Sequence, residues 1–227
     1  MTVAAIYGHL DIVRFLHENR TEGCSEDTLS LAAQNLHLDV VKFLREHYPQ
    51  LQCCSSALDR VAAKGNLELL ALLYTCSGNT ECTATALTAA AKNGHSDVVA
   101  FLLQHQAEGS VSEALTLAAL RGHLEVVKLL HAQLSPSEST FAALEAAARR
   151  HHHTIVQFLW EDPTRESSDF LKQAVDAGNI AIVRVFLRCA SLEQLDEGRE
   201  YALQQNRTKI AALLMRVLDD RRTQPSS

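Results

Sequence analysis

Residues 115–130 read LTLAALRGHLEVVKLL, and this stretch decides the fold of the chain. Its spacing predicts the second half of one helix, a tight turn at Gly122 and a second helix. Small residues, Ala118 and Ala119 among them, give the first helix a narrow apolar side. Branched residues at helical spacing give the second helix an apolar stripe that begins at Val126. Glycine suits the turn because it adopts positive φ without a side-chain clash.

The same unit recurs along the whole chain. The position after the turn carries histidine or asparagine at intervals of 27 to 29 residues: His9, His37, Asn66, His95, His123, His152, Asn179 and Asn206. A pair of branched aliphatic residues follows each of the first seven, as Ile12 and Val13 follow His9. A fixed period in this range is typical of stacked repeat proteins, in which each unit packs only on its neighbours.

These units resemble ankyrin repeats. The resemblance is carried by residues 115–130 and by the similar runs 4–13 and 90–99, which share a small pair, a Gly-His turn and a branched pair. The Thr-Pro-Leu-His start of the family is absent, although its leucine is kept. The period of about 28 is also shorter than the 33 residues of the family. We therefore expect a shortened β-turn finger between repeats.

The resemblance implies an all-α, ankyrin-type helix-turn-helix solenoid of about seven to eight repeats. The repeat domain is expected over residues 1–218, and the residues after it, 219–227, are predicted to form a disordered tail because they have almost no apolar side chain. The predicted units cover residues 1–24, 25–54, 55–82, 83–109, 110–137, 138–166, 167–193 and 194–218.

The resemblance also implies a non-enzymatic scaffold or adaptor that binds a partner protein on a concave surface. The two residues before each turn differ between units while the framework repeats, so they are the candidates for partner binding. These candidates are Gln34, Asn35, Lys64, Lys92, Asn93, Arg121, Arg149, Arg150 and Asp176. The lysines and arginines among them predict a cationic stripe on a chain of net charge -6, and hence an acidic partner segment.

Two alternatives remain open. In the first, the chain is a fragment of a larger multidomain protein, such as a kinase or ubiquitin-ligase component, and recruits its substrate. The first unit supports this alternative because it lacks the polar outer face that a terminal repeat needs. In the second, the chain is an enzyme or metal protein centred on His151 to His153. Zinc ligands usually come in spaced sets, and three adjacent histidines are not such a set, so we expect no metal there. We also expect no cofactor and no catalytic residue.

Composition limits the classes of partner and the cellular compartments that we expect for this chain. Lys and Arg form no large basic block, so nucleic acid is not the expected partner. No run reaches the roughly 18 apolar residues of a membrane helix, and no basic-then-apolar leader is visible. Cys24, Cys53 and Cys82 share one repeat position, too far apart for disulfides between stacked units. We expect a monomer in the cytoplasm, with the nucleus as the other compartment.

Overall fold

The computed structural model describes residues 1–20, 23–76, 84–105, 110–134, 140–160, 167–178 and 180–223. Within these ranges the chain forms sixteen α-helices and no β-strand, which confirms the predicted all-α fold. No candidate for a membrane-spanning helix occurs among the helices of these ranges.

The helices come in pairs, and each pair makes one repeat. The first helices of the repeats are α1 (Thr2–Ile6), α3 (Thr28–Gln34), α5 (Ser55–Lys64), α7 (Ala84–Asn93), α9 (Val111–Arg121), α11 (Phe141–Arg149), α13 (Ser167–Asp176) and α15 (Leu192–Gln204). The second helices are α2 (Leu10–Asn19), α4 (Leu38–His47), α6 (Leu67–Cys76), α8 (Ser96–Gln104), α10 (Leu124–His131), α12 (His153–Trp160), α14 (Ile180–Cys189) and α16 (Thr208–Thr223).

The chain divides into two compact units, one of residues 1–115 with 128–133 and one of residues 116–127 with 134–227. In the first unit the first helices pack in sequence, α1 on α3, α3 on α5 and α5 on α7. In the second unit α13 packs on α15, and α16 packs on both α15 and α14. These helices therefore pack on elements close to them in the chain, as stacked repeats require.

The core of each repeat is made of small residues on one helix and branched residues on the other. The first helices bury alanines, such as Ala32 and Ala33 of α3, which allow neighbouring helices to approach closely. From the second repeat to the seventh, the second helices bury their aliphatic pairs, such as Val40 and Val41 of α4. Each of these larger side chains contributes about 1.5–3 kcal/mol when it is fully removed from water.

A residue with a left-handed backbone joins the two helices of each repeat. Its φ lies between 56° and 86° in every repeat, at Gly8, Leu36, Gly65, Gly94, Gly122, His151, Gly178 and Asn206. Leu36 and His151 adopt this turn although the conformation costs a non-glycine residue about 1–2 kcal/mol. The turn geometry is therefore imposed by the repeat and not only by the glycine.

The eighth repeat corrects the predicted alignment by one residue. Asn206 is the left-handed residue itself and not the residue after it. The backbone N–H of Arg207 donates to the Ala202 carbonyl at 2.8 Å, the bond that the repeat histidines make to the carbonyl five residues earlier. Arg207 thus takes the histidine position. The sequence carried the signal, because Ile210 follows Arg207 at the spacing of the branched residues.

The C-terminal boundary also differs from the prediction. Helix α16 continues to Thr223, so the disordered tail predicted from Asp219 is wrong for residues 219–223, and residues 224–227 lie outside the described part of the chain. Arg221 donates to the Ala190 carbonyl at 2.7 Å, just beyond the end of α14. Carbonyls at a helix end lack partners within the helix, so this charged segment gains order from a contact that local composition does not reveal.

The start of α15 lies two residues before the predicted unit boundary at 194. Ser191 and Gln194 form a capping box, in which the Gln194 N–H donates to the Ser191 hydroxyl at 3.2 Å. The Gln194 side chain accepts from the Ser191 N–H at 2.9 Å in return. These two bonds satisfy N–H groups that have no partner within the helix and set its first turn.

Cys24, Cys53 and Cys54 carry free thiols, whereas Cys82 lies outside the described residues. Burial raises the pKa of the Cys53 thiol to about 11. Partial burial acts to raise the pKa of Cys54, but hydrogen bonds from the Ser30 and Ser56 side chains and from the backbone together lower the pKa of this thiol. The two adjacent thiols therefore differ in their ability to form a thiolate.

We expect iodoacetamide to alkylate Cys54 at least about tenfold faster than Cys53 at pH 8, because the thiolate is the nucleophile. Cys54 is exposed while Cys53 is buried, so access and ionisation act in the same direction. Peptide mass spectrometry over a time course measures both rates. In a Cys54→Ser variant the remaining reaction at Cys53 should stay slow, and equal rates at the two thiols would contradict the assignment.

Candidate binding surface

The predicted partner-binding residues all lie at the C-terminal ends of first helices, one or two positions before the left-handed residue. Gln34 is half-buried and the other members are exposed. We name these positions the turn-end surface. In the first unit it consists of Gln34, Asn35, Lys64, Lys92 and Asn93, and in the second unit of Arg121, Arg149, Arg150 and Asp176.

In the first unit a hydrogen bond from the next repeat holds the backbone of the turn-end surface. The His37 Nε2 atom lies 3.0 Å from the Ile6 carbonyl oxygen, and the His95 Nε2 atom lies 3.1 Å from that of Ala63. In each case the accepting carbonyl belongs to the residue two positions before the left-handed turn. We name this contact the histidine latch. It explains why histidine recurs after the turn.

The second unit contains the same contact. The His152 Nε2 atom lies 3.3 Å from the Leu120 carbonyl oxygen. In the last repeat the Arg207 guanidinium replaces the imidazole and donates to the Asp176 carbonyl at 2.8 Å. Histidine and arginine can both donate from a side chain of sufficient reach. The latch therefore gives His37, His95 and His152 a structural role, and it fixes the backbone from which the turn-end side chains project.

The latch ring lies directly against the turn glycine of the preceding repeat. A Cβ atom added to Gly8 or Gly65 would lie 2.4 Å from the Nδ1 atom of the latch histidine, and one added to Gly122 would lie 2.7 Å from the latch ring. Such distances are far shorter than van der Waals contact. Glycine is therefore required twice at these turns, for its positive φ and for the space that the ring occupies.

Asparagine replaces the latch histidine in repeats that follow a turn residue with a side chain. The repeat after the Leu36 turn carries Asn66, and the repeat after the His151 turn carries Asn179. From the second repeat onward, every repeat histidine comes after a repeat with a glycine turn. The Asn66 Oδ1 atom accepts from the Leu69 N–H at 3.0 Å and so caps its own helix. Asn179 lies outside the described residues.

In the first unit the turn-end surface divides into structural and charged members. The Asn93 side chain donates to the Ala63 carbonyl at 2.7 Å, beside the latch, and the Asn35 side chain donates to the Leu31 carbonyl at 2.9 Å. Lys64 and Lys92 are exposed at the ends of the neighbouring helices α5 and α7. The two lysines are the cationic members of this part of the surface.

In the second unit two of the predicted residues are engaged by other side chains. Arg149 forms an ion pair of 2.5 Å with Glu145, one turn earlier on α11. Both carboxylate oxygens of Asp176 lie 3.0 Å from the Tyr201 hydroxyl, and this hydrogen bond raises the pKa of Tyr201. Arg121 and Arg150 are exposed. They are the cations of this part of the surface that carry no such partner among the described residues.

The three consecutive histidines do not form one site. His152 makes the latch, His151 is the left-handed turn residue, and the rings of His151 and His153 are 6.2 Å apart between centroids. Over the described ranges of the chain no group of three His, Cys, Asp or Glu side chains is placed to hold a metal ion.

Stacked helix pairs, left-handed turns and latches between neighbours define a helix-turn-helix repeat protein. Two family models match the chain, one of ankyrin repeats in three copies over residues 58–138 and one of ankyrin repeats in many copies over residues 1–45. No curated protein matches it. The chain is an ankyrin repeat protein, which confirms the resemblance seen in the sequence. Ankyrin repeats are generally protein–protein interaction modules and typically have no catalytic role.

Proposed function

We propose that this chain is a non-enzymatic scaffold or adaptor that binds, as a monomer, an acidic segment of a partner protein through its turn-end surface. The resemblance to ankyrin repeats assigns partner binding to a concave surface, and we propose that the turn-end residues of each unit contribute to it. The same proposal applies if the chain recruits a substrate for an enzymatic domain of a larger polypeptide, because recruitment would use the same residues. Each compact unit contributes its own cations, Lys64 with Lys92 and Arg121 with Arg150.

The observation that supports this proposal is the exposure of cations on a locked backbone. The latch from the following repeat immobilises the peptide just before Lys64 and just before Arg121. A fixed backbone lowers the ordering cost of binding, because only the side-chain ends must become immobile. Long-range attraction between these cations and an acidic segment would raise the association rate and select against basic partners.

The proposal is tested by reversing the charge of three exposed cations of the turn-end surface. We expect the variant Lys64→Glu, Arg121→Glu and Arg150→Glu to lose at least about 90% of the partner captured from cell extract, because every reversed contact becomes repulsive. Quantitative mass spectrometry of affinity-captured proteins at physiological salt gives the measurement.

A matched control reverses three exposed cations on second helices, Arg184→Glu, Lys209→Glu and Arg216→Glu. Both triple variants change the net charge equally, so a general charge effect would reduce capture by both. The proposal requires capture to persist with the control and to fall with the turn-end variant. Identical captured proteins for the wild type and the turn-end variant would refute it.

A further inference from the structure

We propose that the second unit binds a phosphorylated side chain of the partner protein through four exposed residues, Arg121, Arg150, His151 and His153. We name these residues the basic turn cluster. The inference rests on the proposed function and deepens it, because it names a phosphate group as the feature of the acidic segment that this unit recognises.

His151 is the unusual member of the cluster, because it places a polar side chain at a left-handed turn. The same position is glycine in five of the eight repeats, and φ at His151 is 60°. Of the other two exceptions, Leu36 is half-buried, and Asn206 is a residue type that tolerates this conformation. His151 is exposed, so its ring gains no core packing in return for the strain. Strain of this kind clusters at functional sites.

The turn at His151 has room for an imidazole because the following repeat lacks a latch histidine. At Gly65 and Gly122 the latch ring of the next repeat lies against the turn, and an added Cβ would lie 2.4 Å and 2.7 Å from that ring. The repeat after His151 carries the shorter Asn179 at the latch position. This combination of residues lets the turn present an imidazole to solvent.

Two imidazoles of the cluster are placed to share one anion. The ring centroids of His151 and His153 are 6.2 Å apart, and His152 between them takes no part because it makes the latch. With N–H···O distances of about 2.9 Å, this separation accommodates one tetrahedral anion that accepts from both rings. Arg150 directly precedes His151, and a guanidinium binds phosphate oxygens in pairs. A phosphate has enough oxygens to contact all three groups, whereas a carboxylate has two.

The latch brings the fourth member of the cluster to this turn. The His152 Nε2 atom lies 3.3 Å from the carbonyl oxygen of Leu120, and Arg121 is the next residue. The end of α9 and its exposed guanidinium therefore lie beside the turn. Arg149 adds little to the cluster, because its charge is balanced by the ion pair of 2.5 Å with Glu145.

The first turn of α12 removes a negative charge from the surroundings of the cluster. The second helices α2, α4, α6, α8 and α10 each begin with an acid: Asp11, Asp39, Glu68, Asp97 and Glu125. Helix α12 carries no acid in its first turn, and the exposed Thr154 takes the equivalent position. A carboxylate one residue from His153 would repel a phosphate, so its replacement by threonine favours binding of this anion.

The proposal is tested with a synthetic peptide in which one phosphoserine is flanked by two glutamates on each side. A control peptide has glutamate in place of the phosphoserine. We expect the wild-type chain to bind the phosphopeptide at least about tenfold more tightly at physiological salt, because the phosphate carries more charge and one more acceptor oxygen. Fluorescence anisotropy of labelled peptides measures both affinities. Equal affinities for the two peptides would overturn the proposal.

Two single substitutions assign the binding to the cluster. We expect His151→Gly to weaken phosphopeptide binding at least about fivefold and to raise the thermal midpoint by about 2 °C, because glycine removes the ring and the strain together. The higher midpoint excludes unfolding as the cause of the loss. Arg150→Gln should weaken binding at least about tenfold. Unchanged binding in either variant would contradict the assignment.

Each substitution has a matched control. Leu36→Gly also removes a side chain from a left-handed turn, but in the other compact unit. Arg184→Gln removes an exposed guanidinium from α14, in the same unit as the cluster. Both controls should keep the wild-type affinity for the phosphopeptide, and a loss as large as in the cluster variants would refute a local site.

Capture from cell extract separates this inference from the proposed function. Treating the extract with a protein phosphatase should remove at least about 80% of the partner that the wild-type chain captures. Capture that survives this treatment but falls with the variant Lys64→Glu, Arg121→Glu and Arg150→Glu would refute the phosphate site and leave the proposed function standing. Capture that neither the treatment nor the variant changes would refute both.

Discussion

Replacing Gly65 with alanine is expected to lower the free energy of unfolding by about 3 kcal/mol, a large share of the stability of a typical domain. The backbone contributes about 1 kcal/mol, because φ at this position is 76° and alanine avoids that region. The rest comes from His95, whose Nδ1 atom lies 2.4 Å from the new Cβ. Moving that ring costs about 1–3 kcal/mol through strain and the lost latch bond.

Gly23→Ala is the matched control for this prediction. Gly23 has a φ of 68°, but the nearest atom to an added Cβ is a Tyr48 ring carbon at 4.0 Å. Only the backbone cost remains there, so we expect a loss of about 1 kcal/mol. Urea unfolding followed by circular dichroism measures both variants. Equal losses for Gly65→Ala and Gly23→Ala would show that the contact with His95 contributes nothing.

A second substitution separates the backbone cost at Gly65 from the steric cost at His95. In the double variant Gly65→Ala with His95→Asn, the smaller side chain removes the obstruction and leaves only the backbone cost and the lost latch. We expect the double variant to be about 1 kcal/mol more stable than Gly65→Ala alone. The natural succession of Leu36 by Asn66 is the same solution within this chain. A double variant less stable than Gly65→Ala would argue against the pairing.

Replacing Gly198 with alanine should destabilise the protein by about 2 kcal/mol, although the same change inside an ordinary helix stabilises by about 1 kcal/mol. Gly198 is buried in α15, and its added Cβ would lie 2.2 Å from the Leu171 Cδ2 atom and 2.9 Å from Cγ. Leu171 is 1% exposed, so its side chain cannot move aside into solvent without disturbing the buried neighbours around it. The steric cost therefore exceeds the gain in helix propensity.

A double-mutant cycle with Leu171→Ala tests whether the contact with Leu171 is the reason that Gly198→Ala destabilises the protein. Once the leucine side chain is removed, Gly198→Ala should become stabilising by about 1 kcal/mol, as it is in an unobstructed helix. The four unfolding free energies come from urea titrations of the wild type, the two single variants and the double variant. A loss of equal size with and without Leu171 would attribute the effect to something other than this contact.

The fold was predictable from the sequence because each repeat records its own local geometry. Small residues such as Ala118, branched residues such as Val126 and the turn glycine Gly122 recur with the period of one helix pair. These choices reflect the helical period of 3.6 residues and the φ of the turn, which depend on near neighbours along the chain. The family followed from the same pattern.

The binding surface was predictable only as a set of positions. Two of its members are already engaged by a neighbouring repeat. Asn93 donates to the Ala63 carbonyl of the preceding repeat, and Asp176 accepts from the Tyr201 hydroxyl of the following repeat. The order of residues 219–223 likewise depends on Arg221 reaching the end of α14. These partners lie some 25 to 31 residues away in sequence, so local spacing does not identify them.

The sequence by itself therefore determined the repeat, its turn and the helices on either side, since all three are set by residues within one unit. Only the tertiary structure decided which atoms meet between units, such as the ring of His95 over Gly65 and the side chain of Leu171 against Gly198. The physical reason is that stacking brings together side chains from separate repeats. Their distances depend on how closely the helices approach, which no single repeat encodes.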